Sequence, residues 1–511
     1  MVVLWCQTMK RKHILLLFIL ILIYISLLQM NIMNFDAFND SSNVLKEVKF
    51  VDDDHNLKIS EMPNESFSLV ICKFNQTSNF FQINLTISAH NCITEDCLSI
   101  NESGNLHRYY LMNLTTATSG DISSLFSNST ITSGMLGWEN ISYFRIPPIQ
   151  NDMGPIYYNE SQDKKDLKQT GDDPLLSIQW GYYMIQADVA YANNIRGENI
   201  TIGIIDSGVQ TTHSDLDDNY LGGYDFINLD ANPDDENGHG THVTGIICAE
   251  NNSIGIRGVA PQAKFYSYKV LDVNGSGTNF NLAKAIKRAI NDDVDVITMS
   301  LGGFPSSIVE AAIEDAYSNN IIQVAAAGND DSSDQVYPAA YPEVFAIGAV
   351  DSNKDITSYS NFGNWIDFVG PGGEPPYQRN LILSTYYESN YVYLAGTSMA
   401  CPFISGLIAL MMNNLSRSSN GTSIASIITS NLIENKLISS SQDLGINGKD
   451  IYYGYGLPIW DELITTTLPI PIMLWPIISG LIMISIVIYT KNRNFKKNHL
   501  KGFNFSHFLN I

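Results

Sequence analysis

Five short, almost unbroken apolar runs set the architecture of this chain: Ile200 to Ile205, Lys264 to Val270, Val294 to Ser300, Ile321 to Ala327 and Val344 to Val350. A strand that is apolar at nearly every position, instead of every second one, has to be covered on both faces. Between the runs lie Asn281 to Asn291 and Ile308 to Ser318, with apolar residues at helical spacing. Strands alternating with helices pack as a mainly parallel sheet with helices on both sides. The expected class is therefore α/β.

At 511 residues the chain is too long for one ordinary domain. Its net charge of -23 argues against nucleic acid as a partner, since phosphate binding wants a basic surface. Lys10-Arg11-Lys12 precedes the apolar stretch Ile14 to Leu28, so residues 1–30 read as a signal peptide or signal anchor. Near the other end, Pro469 to Tyr489 is almost uncharged and long enough to cross a bilayer, which takes roughly 20 residues. Lys491, Arg493, Lys496 and Lys497 follow it, which places the tail 490–511 in the cytoplasm and the bulk of the chain in a lumen or outside. Asn-X-Ser/Thr sequons crowd the first third, at Asn64, Asn75, Asn84, Asn101, Asn113, Asn128, Asn140 and Asn159, as expected of a glycoprotein on the secretory route. Cys72, Cys92 and Cys97 supply one disulfide at most among themselves, while Cys248 and Cys401 sit in apolar surroundings that suit buried thiols. Residues 31–172 form a polar region without clear period, closing in an exposed linker at Asn159 to Asp173; residues 173–462 carry the apolar runs.

Chemistry-bearing residues stand at the ends of those runs. Asp206 ends the first, and groups that act in open α/β sheets lie outside the carboxyl ends of strands. His239 follows Gly238 at a helix start, whereas His242 falls among apolar residues and reads as structural. Asn329 closes the run Val324 to Gly328, where its amide can donate into the same crevice. Ser398, in Gly396-Thr397-Ser398-Met399-Ala400-Cys401-Pro402, precedes the helical run Phe403 to Met412. A serine at a helix start has an outward Oγ and an N–H without intrahelical acceptor, which suits a nucleophile. An ordinary helix cap accounts for Ser398 alone equally well.

Taken in order, Asp206-Ser207-Gly208, His239-Gly240-Thr241-His242-Val243, Asn329 and Gly396-Thr397-Ser398-Met399-Ala400 resemble the signatures of the subtilisin-like serine proteases. Ser300-Leu301-Gly302-Gly303, Val259-Ala260-Pro261, Tyr359-Ser360-Asn361-Phe362-Gly363 and Gly370-Pro371-Gly372 resemble further landmarks of that family. The resemblance spans Asp173 to Trp460 and implies a three-layer fold acting on protein or peptide substrates. It implies Ser398 as nucleophile, His239 as base, Asp206 as its orienting carboxylate, and Asn329 with the Ser398 N–H as oxyanion donors. Ser300, Leu301, Gly302 and Gly303, with Ala326, Ala327 and Gly328, are then expected to line the substrate pocket. Asp330, Asp331 and Asp334 either favour basic substrates there or form a surface turn, and Val336 is placed to narrow the pocket floor.

The resemblance also implies Ca²⁺. Glu250-Asn251-Asn252-Ser253-Ile254-Gly255-Ile256 is similar to a loop that wraps a calcium ion in this family, with Asn252 giving its side chain and Glu250, Ile254 and Ile256 their carbonyls. Asp215 matches a carboxylate ligand, and Asp173 matches one more loosely. Asp225, Asn228, Asp230 and Asp234 are spaced as in thermitase-like members with an additional calcium, or else form a solvated acidic loop. By position, the region before Asp173 is expected to be an inhibitory prosegment, cut between Tyr158 and Asp172 during maturation. The alternative function is a catalytically silent relative acting as a surface binding glycoprotein; silent relatives usually lose one of the four catalytic positions, and all four are filled here.

Overall fold

The computed structural model describes residues 69–74, 93–102, 105–113, 135–140, 142–147, 156–158, 172–418 and 428–461. The expected signal segment, the 159–171 part of the linker, the apolar span 469–489 and the tail 490–511 lie outside the described residues.

The N-terminal region holds an antiparallel sheet of four strands, β1 (Leu69–Phe74), β2 (Ile93–Glu102), β3 (Asn105–Asn113) and β4 (Met135–Asn140), in the order β2-β3-β1-β4. The sequence showed no period here. Cys72 and Cys97 both stand opposite Tyr110, one on each side of β3. Two short strands follow, β5 (Tyr143–Arg145) and β6 (Ile156–Tyr157), and both pair with strands from later in the chain.

After the short helices α1 (Trp180–Met184) and α2 (Ala187–Ala192) come β7 (Thr201–Asp206), β8 (Tyr220–Asp225), α3 (His239–Cys248), β9 (Lys264–Lys269) and β10 (Ser276–Thr278). The chain continues through α4 (Asn279–Asn291), β11 (Val296–Met299), β12 (Gly302–Gly303), α5 (Ser307–Ser318), β13 (Ile322–Ala326), β14 (Val344–Val350) and β15 (Phe368–Pro371). The hairpin β16 (Ile382–Tyr386) and β17 (Asn390–Leu394) leads into the long helix α6 (Thr397–Ser418), and α7 (Ser430–Ser440) follows. Seven strands form one all-parallel sheet in the order β15-β14-β13-β11-β7-β9-β8.

Both faces of this sheet are covered, as the unbroken apolar runs require. On one face α6 packs across β11, β13, β14 and β15 and against α3; on the other α4 and α5 pack together over β7, β9 and β13. Every residue of β11 and β13 is buried. The one amide in β13, Gln323, donates Nε2 to the Ile313 carbonyl at 3.0 Å, while its buried Oε1 has no hydrogen-bond partner. Thr397 to Arg417 is apolar enough to span a membrane, yet every residue from Thr397 to Leu415 is buried inside the protein, so its hydropathy serves the core. Burying side chains such as Leu407 and Ile408 stabilises by roughly 1.5–3 kcal/mol each.

Strand order reverses beside β7, which has β9 on one edge and β11 on the other. Crevices at such switch points, beyond the carboxyl ends of the strands, are where open α/β sheets act. Asp206 ends β7 and Asn329 follows β13.

Candidate active site

His239 is the first residue of α3 and is 1% exposed. Its Nδ1 lies 2.8 Å from Oδ1 of Asp206, also buried. A carboxylate accepts only, so this contact puts the ring proton on Nδ1 and leaves Nε2 as a lone-pair acceptor. Nε2 has no hydrogen-bond partner. Asp206 is held in turn: its Oδ1 also accepts from the Ser207 N–H at 2.7 Å. His242, three residues on, is different. It is fully buried, with Nε2 set between the carbonyls of Ile382 and Val392. Burial pushes its pKa down to about 3, so it stays neutral and structural, as its apolar setting indicated.

Ser398 is the second residue of α6 and 2% exposed. Pro402 sits four residues later and has no N–H, so the Ser398 carbonyl lacks its usual helical donor. Ser300 supplies the replacement, donating Oγ to that carbonyl at 2.9 Å. Ser398 Oγ donates to the Ser300 carbonyl at 3.4 Å, long for an O–H···O bond, so the hydroxyl is loosely held.

Asn329 is buried, and its Oδ1 accepts from both the N–H and the Oγ1 of Thr397, at 2.9 and 2.8 Å. That fixes the amide and turns Nδ2 the other way. A Cβ built on Gly396 would meet Asn329 Nδ2 at 3.0 Å and the Ser398 nitrogen at 3.6 Å. Two donors thus face the space kept open over Gly396, an arrangement suited to an oxyanion.

Of the residues expected to line the pocket, Ser300 meets Ser398 through the two bonds above and the Gly328 N–H donates to Thr397 Oγ1 at 3.1 Å, while Leu301, Ala326 and Ala327 are fully buried. The methyls of Val336 fill the room beside Gly302 and Gly328, where side chains would otherwise stand. Asp330, Asp331 and Asp334 are exposed, and Asp334 takes part in a local turn with Ser332. They form a surface turn.

Three supports were not read from the sequence. Asp235 accepts from the Ser207 hydroxyl at 2.9 Å, from the Gly238 N–H at 2.8 Å and from the N–H and Oγ1 of Thr241, tying the Asp206 loop to the start of α3. Its place just before a helix start was the available signal. Buried Lys269 donates Nζ to the Ser207 carbonyl at 2.7 Å. Strand β10 forms the second wall of the cleft, and β5 lies between β10 and β12.

The expected cation ligands fall in two groups. In the first, Asp215 is fully buried; its Oδ2 accepts from the Ile256 N–H and the Tyr391 hydroxyl, and its Oδ1 has no partner. Burial pushes its pKa up to about 7. Glu250, Asn252, Ile254 and Ile256 share one loop tied to it: the Glu250 N–H donates to the Asp215 carbonyl at 2.9 Å, and Asn252 Oδ1 accepts from the Ile254 N–H. Asp173 is committed elsewhere: its Oδ2 pairs with Arg257 Nε at 2.7 Å, and its Oδ1 accepts the N–H groups of Asn252 and Ser253. In the second group, Asp225 is buried with Oδ1 accepting from the N–H groups of Ile227 and Asn228, and Asn228 donates its amide to Oδ2. Asp230 caps the Asn232 N–H, and Asp234 is exposed. Among the described residues no three His, Cys, Asp or Glu side chains converge as a metal group.

Residues 197–456, more than half of the chain, match the subtilase family. Subtilisin DY of Bacillus licheniformis is 37% identical over 286 residues, 55% of this chain and 96% of that protein. Subtilisin Savinase of Lederbergia lenta is 40% identical over 236 residues, 46% of this chain and 84% of that protein. The thermophilic serine proteinase of Bacillus sp. (strain AK1) is 42% identical over 235 residues, 46% of this chain and 57% of that protein. The chain belongs to the subtilase family.

Proposed function

We propose that this chain is a serine endopeptidase that forms an acyl-enzyme on Ser398. The observation that carries the reading is the buried 2.8 Å bond between His239 Nδ1 and Asp206 Oδ1, because it leaves Nε2 able to take a proton. Ser398 Oγ attacks the scissile carbonyl and gives its proton to His239 Nε2. The carbonyl oxygen, now an anion, accepts from Asn329 Nδ2 and the Ser398 N–H. The intermediate collapses, and the leaving amine departs with the proton from His239. Water, deprotonated by His239, then hydrolyses the acyl-enzyme. Asp206 holds the imidazole in its tautomer and stabilises the imidazolium. Ser398 Oγ has to rotate away from the Ser300 carbonyl to reach His239, a shift in keeping with catalytic bonds that tighten only when substrate is bound.

The substrate peptide is taken up as an added strand between β10 and β12. Ser300, Leu301, Gly302, Gly303, Ala326, Ala327 and Gly328 line the pocket for the residue before the cut, and Val336 restricts it to small side chains. The N-terminal region acts as the prosegment and inhibitor; β5 already occupies the place of the added strand. The protein is glycosylated, enters the secretory route and is held by one membrane span at 469–489, with the catalytic region in a lumen or outside.

Calcium fits the first loop. A buried carboxylate oxygen of Asp215 without a partner is costly unless a cation answers it. Asp215, Glu250, Asn252, Ile254 and Ile256 offer oxygen donors only, the set that suits Ca²⁺. The ion supplies a structural clamp there. Asp173 serves its ion pair with Arg257 instead, and Asp225, Asn228, Asp230 and Asp234 act as turn-forming residues. Chelation is expected to lower the melting temperature of the purified protein; an unchanged value in excess chelator removes this assignment.

The catalytic reading is tested by peptide hydrolysis and by labelling with a serine-reactive fluorophosphonate, with Ser398→Ala as control. Mature protein that takes no label would end it.

A further inference from the structure

Helix α3 starts without a side-chain cap of its own. Its N-cap residue is Gly238, at φ +96°, which has no side chain to accept from the first N–H groups of the helix. Those groups are met by the loops around it. The His239 N–H donates to Asn237 Oδ1 at 3.2 Å, the Gly240 N–H to Ser207 Oγ at 3.0 Å, and the Thr241 N–H to Asp235 Oδ2 at 2.9 Å. Asn237 thus holds the first N–H of the helix, that of the base itself.

Asn237 is fixed by three further bonds. Its N–H donates to Asp235 Oδ1 at 3.0 Å, and its Nδ2 donates to the Val273 carbonyl at 2.9 Å. Its carbonyl accepts from the Tyr386 hydroxyl at 3.0 Å. Tyr386 is 6% exposed, so water has little access to replace that hydroxyl if it is removed. The rings of Tyr386 and Tyr387 also lie against the Cα of Gly238, where an added Cβ would run into both.

Tyr386 closes a row of three. Ser384, Thr385 and Tyr386 are the last residues of β16, and they donate their hydroxyls to the carbonyls of His242, Thr241 and Asn237 at 2.7, 2.8 and 3.0 Å. The first two hydroxyls hold the body of α3. The third reaches the turn that sets where α3 begins. From this row the chain returns through β17 into Gly396 and Ser398. One hairpin therefore holds the helix of the base and leads into the helix of the nucleophile. A shift of Asn237 moves His239 Nε2 relative to Ser398 Oγ, and small displacements of reacting groups cost rate steeply.

We propose that Tyr386 is a positioning residue for His239. Its hydroxyl holds the Asn237 carbonyl, and Asn237 holds the start of α3. It acts through Asn237 and not on the reacting atoms. This rests on the serine endopeptidase reading.

The test uses full-length protein with active sites counted by fluorophosphonate labelling. It compares the native sequence with Tyr386→Phe, Asn237→Ala and Tyr387→Phe. Tyr386→Phe removes one oxygen and keeps the ring. It is expected to lower kcat per labelled site about tenfold, the scale of one lost hydrogen bond, and to leave KM unchanged. The rate at which Ser398 takes the label also depends on His239 as base, and it is expected to fall in proportion. Asn237→Ala frees the His239 N–H and is expected to lower kcat as well. Tyr387→Phe keeps its ring against Gly238 and is expected to match the native rate. A native kcat per labelled site in Tyr386→Phe overturns the proposal, and a native kcat in Asn237→Ala overturns the route through Asn237. A loss confined to the number of labelled sites also overturns it, because Tyr386 would then serve folding alone. So does a loss confined to KM, which would place Tyr386 in substrate binding. An equal fall in Tyr387→Phe assigns the effect to the aromatic pair instead of the hydrogen bond, and overturns it too. Native protein that takes no label ends the endopeptidase reading, and this role with it.

Discussion

Strands β13 and β5 both border the cleft, and they are held there by opposite means. β13 has β11 and β14 on its edges, helices over both faces, and no exposed residue. Its own side chains fix it. β5 has three residues, of which Phe144 alone is buried, while Tyr143 is 62% exposed. Its place is set by the backbone edges of β10 and β12. The first strand belongs to the scaffold, and the second occupies a slot the scaffold keeps open. A slot of that kind accepts many sequences, which is what a protease needs of its substrate site.

The comparison breaks most sharply at the end of β13. That strand delivers Asn329, and the amide is aimed only because Thr397 holds its oxygen. Asn329→Ala is expected to lower kcat by about 10²–10³ with KM little changed, a range established on subtilisin, itself a member of this family. Steady-state kinetics on one peptide substrate checks it. A matched rise in KM at constant kcat would mean that Asn329 binds ground states, not the oxyanion.

Within β13, Val324→Ala tests the scaffold itself. Val324 is fully buried. Removing its two methyls costs roughly 2 kcal/mol, from about 0.8 kcal/mol per buried carbon plus a cavity contribution. Denaturant unfolding should show a lower midpoint at constant slope. A change below about 0.5 kcal/mol, the range of ordinary surface substitutions, would mean the strand is not packed as described.

The same contrast explains what the sequence disclosed. The apolar runs at Ile200, Lys264, Val294, Ile321 and Val344 became β7, β9, β11, β13 and β14, because a strand covered on both faces has to be apolar throughout. The edge strand β8 stayed hidden, since its residues are partly exposed and Gly222 and Gly223 interrupt the pattern. Helix α6 was legible from Phe403 but not from Thr397. Pro402 reads as a break, and the carbonyl it leaves without a helical donor is met by the Ser300 hydroxyl, from the loop after β11. Asp206, His239, Asn329 and Ser398 stood out because each sits at the end of a strand or the start of a helix. The ion pair that takes up Asp173 did not, because Arg257 lies 84 residues away. Nothing in Tyr143-Phe144-Arg145 marks a strand, since its hydrogen-bond partners at Gly277 and Gly302 are far off in sequence.

The smallest effect is expected where the slot does the holding. Arg145 is exposed, and its backbone makes the ladder to Ser276 and Gly302. Arg145→Ala keeps every backbone donor and acceptor, so stability should change by no more than about 0.5 kcal/mol. The useful control is Arg145→Pro, which removes one backbone N–H from a strand paired on both edges. It should weaken docking of the segment while leaving the seven-stranded sheet intact, because β5 contributes nothing to that sheet. Limited proteolysis reads the difference: cutting near residue 145 should rise for Arg145→Pro and stay at the native rate for Arg145→Ala. Equal rates in both variants would mean that side chains, and not the backbone edges of β10 and β12, hold this strand.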